Sequence, residues 1–312
     1  MARAQGARSQ MAAAFETTYG LPPLTGFRRM PFATSTLSET FGLLENELLG
    51  YGRDPLAPSE DVVSLDGDIV IPMDTQSFGL WLKATFGEPA TTGSGAPYTH
   101  TFESGSWELP SLSIETGMPE VPSFAMAAGN KVDTLSFTMQ RQGQLQATLA
   151  LIGQGENVNA ATSAGTPTPF ELTRFVQKQG NVERDGTRLA NVVSAQLTYR
   201  NNLDRIETLR NDGKIEGVDP SMAMLTGNIV VRFADKVLLD QAINGEPADF
   251  EFSFTRANES LTFAVPRIYL PKPRRTIEGP QGIQATFDWQ AAKAADGGPM
   301  ITATLVNAIE SY

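Results

Sequence analysis

The sequence predicts a mainly β protein, with two tandem, similar β-sandwich or barrel domains, each carrying one flanking α-helix. Three observations predict it. Apolar and polar residues alternate along short runs, as in Leu135, Phe137 and Met139 against Ser136, Thr138 and Gln140, or Phe250, Phe252 and Phe254 against Glu251 and Ser253. Helical spacing is confined to short segments, the clearest holding Phe78, Trp81, Leu82 and Phe86. One stretch is also used twice: Gly67-Asp68-Ile69-Val70-Ile71 leading to Gly87-Glu88-Pro89-Ala90 returns as Gly227-Asn228-Ile229-Val230-Val231 leading to Gly245-Glu246-Pro247-Ala248.

Each copy follows the same physical grammar. Gly opens an Ile/Val strand. Asp74 or Asp235 stands where an N-cap belongs, because a carboxylate accepts from free backbone N–H groups. A Gly able to turn left-handed stops the helix, and a Pro two residues on forbids continuation. A chain of 312 residues has a prior of about two domains, in line with the duplication. We expect an N-terminal arm over residues 1–40, a first β domain over 41–155, a linker over 156–170 and a second β domain over 171–312.

Residues 1–40 show no sustained period, and Pro22, Pro23 and Pro31 forbid a continuous helix. Met11 to Phe15 is too short for a signal-peptide core, and Glu16 follows at once. Leu43 to Leu49 reads as a strand, and Gly50 to Pro58 as a loop. Val62 to Ile71 is a strand, Asp74 to Phe86 a helix, and Thr91 to Pro97 a small-residue loop. Tyr98 to Phe102 and Leu109 to Ile114 read as strands, whereas Met118 to Ala128, with Pro119 and Pro122, reads as irregular or an edge. Val132 to Arg141 and Leu145 to Ile152 form a hairpin. Gly153 to Phe170 is linker-like in composition. The second half repeats the order: a strand at Val192 to Arg200, a long polar segment turning at Asn211-Asp212-Gly213, a strand from Met222 to Phe233, and a helix from Asp235 to Asn244. Strands follow to Ala308, with Ala303-Thr304-Leu305 echoing Ala147-Thr148-Leu149.

Composition bounds the function. With no cysteine there is no disulfide framework and no thiolate metal site. A net charge of −11 argues against wrapping DNA or docking on an anionic membrane, and suits a surface that DNA slides past. No apolar run approaches a membrane span. The single histidine, His100, lies between threonines in a strand and reads as structural; there is no G-x-S-x-G elbow, P-loop or complete calcium loop. We expect no enzyme, no cofactor and no metal site. The stiff basic run Lys272, Arg274 and Arg275 reads as a contact with an acidic surface on another copy.

Leu48-Leu49-Gly50-Tyr51-Gly52-Arg53-Asp54-Pro55, Asp66 to Pro72, Pro110 to Pro122, and Tyr199-Arg200-Asn201-Asn202-Leu203 leading to Gly227 to Phe233 together carry a resemblance. In these stretches the chain resembles the tail tube proteins of long non-contractile phage tails, in a duplicated two-domain form. The resemblance implies a structural virion protein of the tail, made in the host cytoplasm. It implies rings stacked into a tube that DNA crosses without specific binding, with tape measure and terminator or tip proteins as partners. Three duplicated chains would close a ring of six domains. Loops that contact the next ring fall at about Gly50 to Asp61 and Asn201 to Ser221, which makes Tyr51, Arg53, Asp54, Arg205, Arg210, Asp212 and Lys214 candidate inter-ring residues. An adhesin or carbohydrate-binding β-protein is the alternative, with Trp107 the one tryptophan in a loop; a carboxylate hydrolase is a third reading.

Overall fold

The computed structural model describes residues 3–232, 237–273 and 282–312. The fold is mainly β, and the described residues hold two α-helices, Phe78–Phe86 and Val237–Asn244. Two antiparallel sheets face each other. The main sheet runs, neighbour by neighbour, through Ser38–Leu44, Ser59–Pro72, Gln146–Gly153, the C-terminal half of Ser123–Gln140, Val192–Arg200, Met224–Arg232 and Gln284–Ala291. The second runs through Gly180–Arg184, Ala248–Arg256, Glu259–Tyr269, Thr302–Asn307 and Tyr98–Glu103. Alternation buries one face of each sheet. The faces meet where Phe137 packs on Phe263 at 4.9 Å between ring centroids, and Trp289 stacks on Phe252 at 5.9 Å. Trp81 and Trp289 are both buried, as the spacing of their neighbours predicts.

The halves of the chain interleave. Ser136–Gln140 pairs with Ser194–Thr198 inside the main sheet, and Tyr98–Glu103 pairs with Thr302–Asn307 inside the second. One continuous apolar core takes residues from Met11 to Leu305. The similarity of the halves also stops at their ends. Gln146–Gly153 lies between Ser59–Pro72 and Ser123–Gln140 in the main sheet, while Thr302–Asn307, its counterpart by sequence, crosses to the second sheet.

The repeated glycines lie inside their strands and do not open them. A Cβ on Gly67, at φ +151°, would sit 2.5 Å from the Thr36 carbonyl oxygen and 2.6 Å from the Leu37 backbone. A Cβ on Gly227 would sit 2.0 Å from the Gln196 carbonyl oxygen and 2.4 Å from the Trp289 ring. Both positions are held by close approach of a neighbour.

The first helix starts later than its cap residue suggests. Asp74 accepts backbone hydrogen bonds from Gln76 at 2.7 Å and Ser77 at 2.6 Å, along with the Ser77 hydroxyl, and so fixes the turn that leads into Phe78. Burial pushes the Asp74 carboxyl up, against the pull of those hydrogen bonds. Phe78, Trp81, Leu82 and Phe86 are buried, and Phe86 packs on Tyr199 of the main sheet at 4.7 Å. Gly87 and Gly245 end the helices at φ +99° and +69°. Asp235, Phe233, Arg274 and Arg275 lie outside the described residues.

Several segments read from sequence as loops or edges are ordered strands. Gln10–Phe15, within the segment expected to be an arm, pairs along its length with Leu112–Met118. Its run is apolar on both faces: Met11 and Ala13 enter the main core, while Ala12 and Ala14 join Phe27, Met126 and Ala164 in a second cluster. Ser123–Ala128 is an interior strand with a partner on each side, because Pro119 and Pro122 are confined to the turn before it. Gly155–Asn159, in the linker-like stretch, pairs with Phe124–Ala128. Buried Glu115 then holds Ser163 and Ala164 by their backbone N–H groups at 2.6 and 3.2 Å. Ala90–Thr92 pairs with Thr99–Thr101, and the strand expected at Leu43 to Leu49 is Ser38–Leu44.

The main sheet has two unlike ends. At one end lie Leu65, Gly153, Lys131 and Arg200; at the other lie Pro72, Gln146, Gln140, Ser194 and Arg232. Ser59–Pro72 spans 14 residues against 8 for Gln146–Gly153, so its first residues overhang the first end. Within the sheet the overhang pairs only with Ser38–Leu44.

Candidate functional site

The overhang gathers exposed apolar residues on one hairpin. Phe41, Leu43, Leu44, Leu48, Leu49 and Val62 are all exposed, Leu49 at 93%. Single exposed apolar residues need no explanation, but a cluster on one projecting hairpin is a contact surface in search of a partner. Tyr51, at 66% exposure, and the exposed Arg53 and Asp54 lie at the hairpin's tip. Its acidic residues, Glu45, Glu47, Asp54, Glu60 and Asp61, outnumber Arg53.

The polar segment of the second half is itself a hairpin, Leu203–Ile206 against Gly217–Pro220. It leans on the base of the first hairpin. Arg205 donates to Asp66 at 2.6 Å and to the Ser64 hydroxyl at 2.9 Å, and Val63 N–H donates to the Gly213 carbonyl at 3.0 Å. The Lys214 side chain lies over Gly155, where a Cβ would be 2.4 Å from its Nζ. Arg210 and Asp212 form a two-pronged pair at 2.9 and 2.7 Å, which holds the exposed Asp212 carboxyl well below the usual carboxylate range. Thus Arg205, Arg210 and Asp212 have side-chain partners within the chain and Lys214 packs over Gly155, while Tyr51, Arg53 and Asp54 stand free at the tip. Lys272 is exposed; its expected companions Arg274 and Arg275 are not among the described residues.

The outer face of the main sheet is polar, uncharged in its middle and charged around it at Asp66, Asp68, Arg200 and Asp288. Thr148, Ser136, Thr198 and Thr226 lie in one row across it, and Gln146, Thr138, Gln196 and Asn228 in the next. The hydroxyl and amide carpet was readable from the alternation; its continuity across both halves was not.

No constellation for chemistry gathers among the described residues. His100 is fully buried, with Nδ1 2.8 Å from the Thr91 hydroxyl and Nε2 2.8 Å from the Ile309 carbonyl. That carbonyl can only accept, so Nε2–H donates to it. No group of three or more His, Asp or Glu residues suited to a metal ion occurs among the described residues. Trp107 is 75% exposed and borders an open cleft with Asp133, Asp204 and Asp219.

No curated protein matches the chain. A family model described as phage tail tube protein matches residues 6–291, which takes in the hairpin, both helices, the main sheet and all of the second sheet but Thr302–Asn307. The chain belongs to that family, the phage tail tube proteins, and is a structural part of the virion tail.

Proposed function

We propose that copies of this chain close into rings and that the rings stack head to tail into the tube through which phage DNA passes. The observation that carries this reading is the projecting hairpin, whose exposed leucines have no core of their own to enter. Three copies form each ring, and the two similar halves of each chain, which share one core, take alternate places around a pseudo-sixfold axis. The outer face of the main sheet lines the channel. Its hydroxyls and amides offer phosphates no dense cationic patch, which lets DNA move without sticking. Tape measure and terminator or tip proteins meet the tube along the lumen and at its ends. Negative-stain electron microscopy of the concentrated chain tests the reading: rings or tubes with a central channel are expected, and a compact monomer at every concentration and salt would refute it.

A second reading draws on exposed Trp107 beside its carboxylate-rimmed cleft, an arrangement suited to stacking a sugar ring. Glycan-array binding abolished by Trp107→Ala would favour an adhesin role.

A further inference from the structure

The end of the main sheet away from the hairpin borders a cavity of about 370 Å³. That volume falls in the usual range for small-molecule sites, about 300–1,000 Å³. Its lining has two characters. Leu189, Val231, Leu238 and Phe287 form an apolar wall, and Arg184, Arg188 and Arg232 form a basic one. The backbone beneath the arginines is fixed. Arg184 pairs with Thr187 across a tight turn at Asp185 and Gly186, both at positive φ. Asp185 N–H donates to the Asp249 carbonyl at 3.0 Å, and the Asp185 carboxylate accepts from Asp249 N–H at 3.1 Å. Leu189 N–H donates to the Val182 carbonyl and Arg232 N–H to the Asn191 carbonyl, both at 2.9 Å.

The cationic charge of the cavity is not balanced from within. Arg188 and Arg232 make no ion pair among the described residues. Arg184 pairs with Asp185 at 3.0 Å through one terminal nitrogen, while its Nε is buried without an acceptor. A buried donor left without an acceptor is costly, and here it marks a place where an acceptor belongs. In a chain of net charge −11, which has carboxylates to spare, guanidinium groups gathered without them call for an anion from outside.

We propose that this cavity binds a nucleotide, a small molecule that joins phosphate to a flat ring. The forks of Arg188 and Arg232 hold phosphate oxygens two at a time, and the ring lies on the apolar wall. Asn191 and Thr187, also in the lining, offer the sugar hydrogen-bonding groups. The two walls select this class of ligand together. Inorganic phosphate would leave the apolar wall uncovered, and an apolar ligand would leave the arginines unpaired. A nucleic-acid strand fits less well, because these arginines gather at one cavity and do not track a backbone along a groove. The site is independent of the stacked-ring reading.

Isothermal titration calorimetry of the full chain with ADP, adenosine and inorganic pyrophosphate tests the proposal. ADP should saturate one site per chain and bind about tenfold or more tighter than adenosine or pyrophosphate, since it alone engages both walls. Its affinity should fall as salt rises. Arg188→Gln with Arg232→Gln should weaken ADP by about tenfold or more. Both side chains are exposed, and a circular dichroism melt checks that the variant is folded. Arg53→Gln with Lys293→Gln removes the same charge far from the cavity and should leave ADP binding unchanged. No saturable binding of ADP at millimolar concentration, or an equal loss in the two double variants, would overturn the site. A single-stranded oligonucleotide that binds more tightly than ADP and is weakened by the Arg188 and Arg232 changes would overturn it too, and would assign the arginines to nucleic acid. Electron microscopy of rings and tubes reads a different property, so failure here leaves the tube reading standing, and failure there leaves the site standing.

Discussion

Glu16 offers the sharpest test of how the N-terminal strand is held. One carboxylate oxygen accepts from Gly20 N–H at 2.9 Å and the Ser111 hydroxyl at 2.6 Å; the other accepts from the Ser113 hydroxyl at 2.6 Å and Gly129 N–H at 2.8 Å. Four donors from three separate segments thus converge on one side chain. Glu16→Gln keeps the shape but replaces an acceptor oxygen with a donor NH₂. The serine hydroxyls can rotate to accept, but a backbone N–H cannot reverse. Whichever way the amide turns, either Gly20 or Gly129 is left facing a donor. One unsatisfied donor costs about 1–3 kcal/mol. The surviving bonds also fall to roughly half strength, because their acceptor is no longer ionised. The expected loss is about 2–4 kcal/mol, read as a lower urea midpoint with unchanged m-value. A loss below about 0.5 kcal/mol would show that water replaces these contacts freely, and the clamp argument would fail.

Gly227→Ala should destabilise by at least about 1–3 kcal/mol, because the new methyl meets the Gln196 backbone and the Trp289 ring rather than a movable side-chain end; a thermal melt unchanged within error would contradict that packing. Phe137→Ala removes a ring that touches both Phe254 and Phe263 across the sandwich, and should cost about 3–5 kcal/mol by denaturant titration. Glu251 has its carboxyl pushed up by burial and by the neighbouring Glu183 and Asp249. A raised acid stabilises the folded state while protonated, and that contribution is lost as pH climbs through the folded pKa. Glu251→Gln should therefore raise the melting temperature at pH 7, by the equivalent of about 0.5 kcal/mol, with the gain shrinking as pH falls into the carboxylate range. A gain that grows on acidification would show the sign to be wrong.

Side-chain alternation carried the faces of the strands well. Leu135, Phe137 and Met139 point inward, and Ser136, Thr138 and Gln140 outward, as a period of two requires. It carried no information on which strand lies beside which. The pairing of Ser136–Gln140 with Ser194–Thr198, and the crossing of Thr302–Asn307 to the second sheet, depend on edges that any alternating strand presents. The same limit governed the surface. Arg205 looks free in sequence, yet Asp66, 139 residues away, neutralises it. Leu43 to Leu49 looks like core material, because an apolar run has the same composition whether it faces its own interior or another molecule. Conversely, the glycines and the helix stops were legible because they answer to local backbone chemistry, which sequence states directly.

Polarity in this molecule arises from a mismatch of strand lengths. In an antiparallel sheet of equal strands the two ends are alike in construction, and neither favours a direction of assembly. Here Ser59–Pro72 outruns its neighbour Gln146–Gly153 and takes Ser38–Leu44 with it, so one end gains an arm. The arm could not remain apolar in a soluble monomer without a safeguard, and its acidic residues supply one: like charges on every tip discourage tip-to-tip association. Strand length makes the two ends of the sheet unlike, and like charge opposes contact between one tip and another.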